Sequence, residues 1–284
     1  MNRREFLAGL GMGAAALGCG QVLGGEAAKF RLAMAGYTLY DFKALDALKE
    51  CQRLGVKFLC VKDRHLPFNS TKAQIAEFKK MCADHGVTPY GVGPITMTSP
   101  AEARKFFDYA AALGVDLVVG VPGKQVEKGW AGLHSDRGMC EVCSKLADEY
   151  QMRFAIHNHG RNPKTGNPKL YPAMPETYEL IKDLSPRMGF CVDWAYTYAD
   201  RLDCREMALK YRDRIFDGHI RCISDMGSGS SACRPAERCF DYNGIFDALK
   251  SIGYAGCLGL EFKAAYPKHP EWIVESYDYF KKLM

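Results

Sequence analysis

From Phe30 to the C-terminus, short apolar runs alternate with longer amphipathic stretches, and the alternation repeats eight times. The runs are FRLAMAGYT (30–38), VKFLCVKD (56–63), VTPYGVG (87–93), VDLVVGV (115–121), MRFAIHNH (152–159), RMGFCVD (187–193), RIFDGHIRC (214–222) and AGCLGLEF (255–262). Short and nearly continuous in apolar character, they predict strands buried on both faces, as in a parallel sheet. The intervening stretches predict helices. Ser99-Pro100 is a start signal for one of them, a side-chain cap followed by proline in the first turn. Leu54-Gly55, His85-Gly86, Leu113-Gly114 and Ile252-Gly253 repeat one stop signal, a glycine just past the helix end. Further helices are expected near 133–150, from Met174 to Leu184, from Asp203 to Asp213 and from Glu271 to Met284. Eight right-handed strand–helix units close into a single-domain α/β (β/α)8 TIM barrel. An open doubly wound sheet would need a glycine-rich phosphate loop after the first strand, and AGYTLYD (35–41) is not one.

The first residues break this pattern. Arg3-Arg4 precede Phe6-Leu7 and an uncharged, small-residue-rich stretch from Ala8 to Gly25. This reads as a twin-arginine signal segment over 1–28, followed by the barrel over 29–284. It implies export to the periplasm or cell envelope. Cleavage is expected between Cys19 and Lys29, and contact with a membrane is expected only if Cys19 is lipidated. The net charge of +5 is mild and interspersed, with no basic block, so nucleic acid is not an expected partner. A homo-oligomer is compatible with this composition. Twelve cysteines are many for 284 residues, and the eleven beyond Cys19 make a poor disulfide framework. Most read as core thiols. Cys140-x-x-Cys143 has no second pair to complete a zinc site. Cys222, Cys233 and Cys239 surround a Gly/Ser-rich loop, where a pair could oxidise after export.

Candidate chemistry gathers at the ends of four consecutive strands: His157, Asp193, His219 and Glu261. Residues alternate faces along a strand, so His157 shares a face with His159, Cys191 with Asp193, and Asp217 with His219 and Arg221. A barrel interior is normally apolar. Polar groups in register on four strands therefore point to a divalent ion. Two imidazoles and two carboxylates favour Zn, Mn, Co or Fe over Mg or Ca.

Here the chain resembles the sugar phosphate isomerase/epimerase-like proteins of the xylose-isomerase-like TIM-barrel superfamily. The clearest pieces are GVKFLCVKDRHLPFNST (55–71), AIHNHG (155–160), FCVDWAYT (190–197), HIRC (219–222) and IFDALKSIGYAGCLGLEF (245–262). The resemblance implies one divalent metal held by His157, Asp193, His219 and Glu261, and a small-molecule carbohydrate as substrate. It also exposes departures. His157-Asn158-His159 stands where many sugar epimerases have Glu-Asn-His, so of their two catalytic glutamates only Glu261 remains. Tyr196 replaces a substrate-contacting histidine of the pattern Asp-x-Gly-His, and Arg221-Cys222 replaces Lys-Asp of His-x-Lys-Asp.

With one glutamate, a one-base reaction is the simpler expectation: Glu261 removes a proton next to a carbonyl, and the metal stabilises the enediolate. Lys62 and His159 are candidate proton carriers. His65, Trp194, Tyr196 and Arg221 are candidate substrate contacts. The leading reading is a metal-dependent isomerase or epimerase of a carbohydrate carbonyl. A metal-dependent lyase or hydrolase of keto-glycosides is the alternative. A secreted carbohydrate-binding pseudoenzyme is the third.

Overall fold

The computed structural model describes residues 30–128, 132–160, 170–171, 173–226, 231–262, 266 and 268–284. The expected signal segment 1–28 and most of the loop 160–173 lie outside the described residues.

Eight parallel strands form a ring. They are β1 (Arg31–Ala35), β2 (Phe58–Val61), β3 (Thr88–Met97), β4 (Leu117–Gln125), β6 (Arg153–His157), β7 (Met188–Asp193), β8 (Ile215–Ile220) and β9 (Cys257–Leu260). The ninth strand, β5 (Leu133–Ser135), pairs antiparallel with the end of β4 outside the ring. Each barrel strand pairs with its neighbours in chain order, and β1 pairs with β9 to close the circle. An open doubly wound sheet is thereby excluded.

The helices follow the strands. They are α1 (Ala44–Leu54), α2 (Lys72–Asp84), α3 (Pro100–Leu113), α4 (Arg137–Tyr150), α5 (Met174–Ile181), α6 (Trp194–Ala199), α7 (Cys204–Lys210), α8 (Asn243–Ser251) and α9 (Pro270–Leu283). Their ends follow the local chemistry read from the sequence. The Ser99 side chain accepts a bond from the Glu102 amide to open α3, and Thr71 forms a reciprocal capping box with Gln74 to open α2. Gly55 and Gly114 close α1 and α3 with φ of 71° and 85°, values a side chain rarely tolerates. Gly86 and Gly253 repeat the device at 65° and 66°.

Three details differ from the sequence expectation. β3 and β4 each run four residues past their expected ends, because they pair with each other up to Met97 and Pro122 and β4 then pairs with β5. The expected helix near 133–150 begins only at Arg137, after β5. The third difference follows β7, where α6 starts at once. Asp193 caps it, its Oδ1 accepting from the Tyr196 amide at 3.0 Å.

Most of the core lies between the barrel and its helices. Phe107, Phe154, Phe190, Phe246 and Phe280 are all wholly buried there. A smaller interior cluster fills the ring itself: Cys60, Leu117, Val119, Ala155 and Cys191, with Tyr90 and Phe216 against it. Asp217 of β8 is level with Cys191 of this cluster, and the Cys191 thiol is 3.6 Å from its carboxylate. The eleven described cysteines are free, and all but Cys239 are buried. Cys140 and Cys143 belong to the buried side of α4. No described helix is long and apolar enough to cross a membrane.

Candidate metal centre

Register brings the strand ends level. Across β7 and β8, Asp193 is opposite His219, and across β8 and β9, His219 is opposite Gly259. Their side chains meet those of His157 and Glu261 at the carboxyl end of the barrel. One donor atom from each of His157, Asp193, His219 and Glu261 lies within 4.8 Å of the others. His157 Nε2 is 2.9 Å from His219 Nδ1 and 3.9 Å from both Asp193 Oδ2 and Glu261 Oε2. Glu261 Oε2 is 3.4 Å from His219 Nδ1. Glu261 alone of the four keeps a visible opening, with 12% of its side chain exposed.

The backbone around these donors is fixed from outside the ring. Asn158 turns away from the interior, and its Oδ1 accepts the Asp193 amide at 2.7 Å. Thr38, just after β1, brackets Glu261: its hydroxyl donates to the Leu260 carbonyl at 2.9 Å and accepts from the Phe262 amide at 2.8 Å. The Glu261 amide itself donates to Ile220 of β8 at 3.1 Å. Sequence reasoning missed both supports. Asn158 stood in the quoted AIHNHG segment, and its outward position was the available signal.

The four donors and Arg221 shift one another's proton affinities strongly. Burial alone would raise the Glu261 carboxyl, but His219, His157 and Arg221 together hold it well below the usual carboxylate range. Burial pushes Asp193 up to about 6, against the pull of the Arg221 guanidinium. Burial, with His219 and His159 nearby, depresses His157 strongly. Burial would also depress His219, but the Glu261 charge and hydrogen bond prevail and raise it. Arg221 is buried, and its Nη1 donates to Asp193 Oδ2 at 2.6 Å and to Glu261 Oε2 at 3.0 Å. Its guanidinium packs 4.6 Å over the Tyr196 ring.

The residues fit a divalent ion. Two imidazole nitrogens face each other at hydrogen-bond distance, and two carboxylates complete the ring of donors. A mixed nitrogen and oxygen set of this kind suits Zn, Mn, Co or Fe(II). Metal uptake must then displace the proton held by His219. Affinity for Zn²⁺ is therefore expected to plateau at high pH and to fall as pH drops below the raised His219 value, by about tenfold per pH unit for one displaced proton. Competition with a chelator between about pH 5.5 and 8.5 checks this, and an affinity flat across that range would count against His219 as a ligand.

The other candidates fall at different depths. Lys62 directly follows β2, with its ammonium donating to the Pro94 carbonyl, 5.5 Å over the Tyr37 ring, and burial lowers its pKa. His159 is half-buried, its ring 4.8 Å from that of His157 and 6.2 Å from that of Tyr196, with Nδ1 3.2 Å from the Leu170 carbonyl. Tyr196 is half-buried beside them. His65 is buried, with Nε2 2.8 Å from the Leu39 carbonyl, which ties it to the loop after β1. Trp194 is wholly buried under α6 and lines the core rather than the mouth. Tyr37, not singled out from sequence, is 40% exposed, with the Lys62 ammonium over its ring.

Known proteins carry the same frame. Residues 45–283 match the family model described as xylose isomerase-like TIM barrel. No curated protein matches the chain. Among solved structures, the IolI protein with a bound zinc atom superposes with a TM-score of 0.71 at 18% identity, covering 89% of this chain and 98% of that one. L-ribulose 3-epimerase superposes at 0.67 and 14% identity, covering 90% and 94%. The probable 3-DHS dehydratase AsbF from Bacillus anthracis superposes at 0.68 and 11% identity, covering 89% and 99%. At such identities these likenesses speak to the fold. The family match spans nearly all of the barrel, and on that ground the chain belongs to the xylose isomerase-like TIM-barrel family.

Proposed function

We propose that this chain is a metal-dependent isomerase or epimerase that moves a proton beside a carbohydrate carbonyl, through an enediolate. The observation that carries the reading is the state of Glu261. It stands at the mouth, partly open, and its neighbours keep it deprotonated at neutral pH. A carboxylate so placed can accept a proton from carbon. His157, Asp193, His219 and Glu261 would hold the ion, which when bound supplies Lewis-acid polarisation of the carbonyl. The zinc named for IolI and the sugar named for L-ribulose 3-epimerase support this assignment by analogy.

The remaining residues have distinct tasks in this reading. Burial makes Lys62 bind its proton less tightly than an exposed lysine, against the opposing pull of the Asp63 and Glu261 charges, so it can return a proton to the substrate. His159 is the second such group. Tyr196 and Tyr37 offer ring faces to the apolar side of a sugar. Arg221 orients Asp193 and Glu261 and balances their charge. His65 acts through the loop after β1.

A lyase is the second reading, and one observation favours it. Both oxygens of Asp193 are engaged, Oδ1 by the α6 cap and Oδ2 by Arg221, so Glu261 is left as the single base of the ligand set. One base suffices to eliminate a group beside a carbonyl, and a dehydratase is among the structural relatives. Incubation of the metal-loaded protein with keto sugars and keto-glycosides separates the readings. A new sugar isomer supports the first, and a released aglycone or water the second. Binding without any turnover would replace both with the carbohydrate-binding reading.

Export belongs to the same proposal and rests on Arg3-Arg4 and the uncharged stretch after them. Substituting both arginines with lysine should retain the precursor in the cytoplasm, and unimpaired export of that variant would remove the assignment.

A further inference from the structure

Beneath the metal centre lies a buried carboxylate with no cationic side chain bonded to it among the described residues. Asp217 precedes His219 by two residues on β8 and shares its inward face. It is wholly buried. It accepts from the Gly218 amide, from the Tyr90 hydroxyl, 3.3 Å from both oxygens, and from the Cys191 thiol, 3.6 Å from Oδ2. One layer up, His219 turns Nδ1 to His157 and Glu261. Its other nitrogen, Nε2, is buried and has no hydrogen-bond partner. A ring nitrogen of His219, the Cys191 sulfur and an Asp217 oxygen all lie within 4.8 Å of one another.

An unpartnered buried N–H is costly, and a buried carboxylate is stabilised by each further donor. Asp217 can accept what the His219 Nε2 offers, and the two residues are neighbours. We propose that Asp217 is the positioning residue of the metal centre: it accepts the Nε2–H of His219 and thereby commits the Nδ1 lone pair to the ion. Tyr90 and Cys191 hold the carboxylate from below. A ligand histidine whose second nitrogen donates to a carboxylate is fixed in tautomer and ring angle and is a stronger ligand. The inference rests on the metal-centre reading given above, and its test separates the two.

The test uses the whole protein, its Asp217→Asn and Tyr90→Phe variants, and Zn²⁺ as the probe at pH 8. Nitrogen-15 NMR of the imidazoles is recorded first without metal, then affinity and stoichiometry are measured by titration. The wild type is expected to show His219 protonated at Nε2 and to bind one Zn²⁺. Asp217→Asn should keep the one-ion stoichiometry, lose about 10–100-fold in affinity and shift the His219 nitrogen resonances. Tyr90→Phe, which removes a donor from Asp217 and keeps the ring, should shift the same resonances in the same direction by less. It decides the matter if Asp217→Asn fails to fold. Unchanged His219 resonances in the folded variants would overturn the proposal. A second Zn²⁺ bound by the wild type and lost in Cys191→Ser would also overturn it, making Asp217 a ligand instead. A wild type that binds no Zn²⁺ yet shows the Nε2–H tautomer, lost in Asp217→Asn, would sink the metal reading and leave the Asp217–His219 pair standing.

Discussion

Glu261→Gln should lower exchange of the substrate's carbon-bound hydrogen with deuterated water by about a hundredfold to ten-thousandfold, the usual worth of a positioned base. The variant keeps the shape of the side chain and one ligand oxygen, so part of the bound metal should remain. What it loses is basicity, and that loss is decisive because the other carboxylate of the ligand set, Asp193, is wholly buried, whereas Glu261 is partly open. The measurement is deuterium incorporation by mass spectrometry, alongside elemental analysis of the same sample. Exchange at the wild-type rate with metal still bound would transfer the role of base to His159 or Lys62.

Loss of a ligand should act on the metal itself. The wild type is expected to purify with about one divalent ion per chain. Asp193→Ala and His219→Ala should each weaken binding by more than the 10–100-fold that loss of an outer hydrogen-bond partner typically costs. The two variants should differ in stability. Asp193→Ala also removes the cap of α6 and leaves Arg221, 4% exposed, with only Glu261 of its two carboxylate partners. Its thermal midpoint should therefore fall below that of His219→Ala, since a buried charge deprived of a partner is strongly destabilising. Unchanged metal content in both variants would dismantle the proposed centre.

The barrel was legible because each of its determinants is local. Apolar runs of strand length, a cap such as Ser99-Pro100 and a stop such as Leu113-Gly114 are all read within a few residues. The ligand ring was legible for a similar reason: strand ends are predictable, and a parallel ring carries them to one rim. What sequence did not reveal depends on depth and on cross-strand distance. Trp194 and Tyr37 are both aromatic residues close to strand ends, yet one is wholly buried and the other 40% exposed. The bracket of Thr38 on Glu261 joins residues more than two hundred positions apart, and only closure of the ring brings them together. Asp217 was placed on the correct face, but its Tyr90 contact requires knowing which strands face each other across the interior.

That closure sets the order in which the protein can come into being. The seam between β1 and β9 joins the first described strand to the last, and Glu261 follows the final residue of β9 directly. A nascent chain that has emerged only as far as β8 already carries three of the four donors, but its sheet is still an open arc without Glu261 or the Thr38 bracket. An ion could meet the complete set of four donors only after the ring has closed. The ion would arrive last and act as a clasp on the finished ring, favouring the closed state over every arc that precedes it.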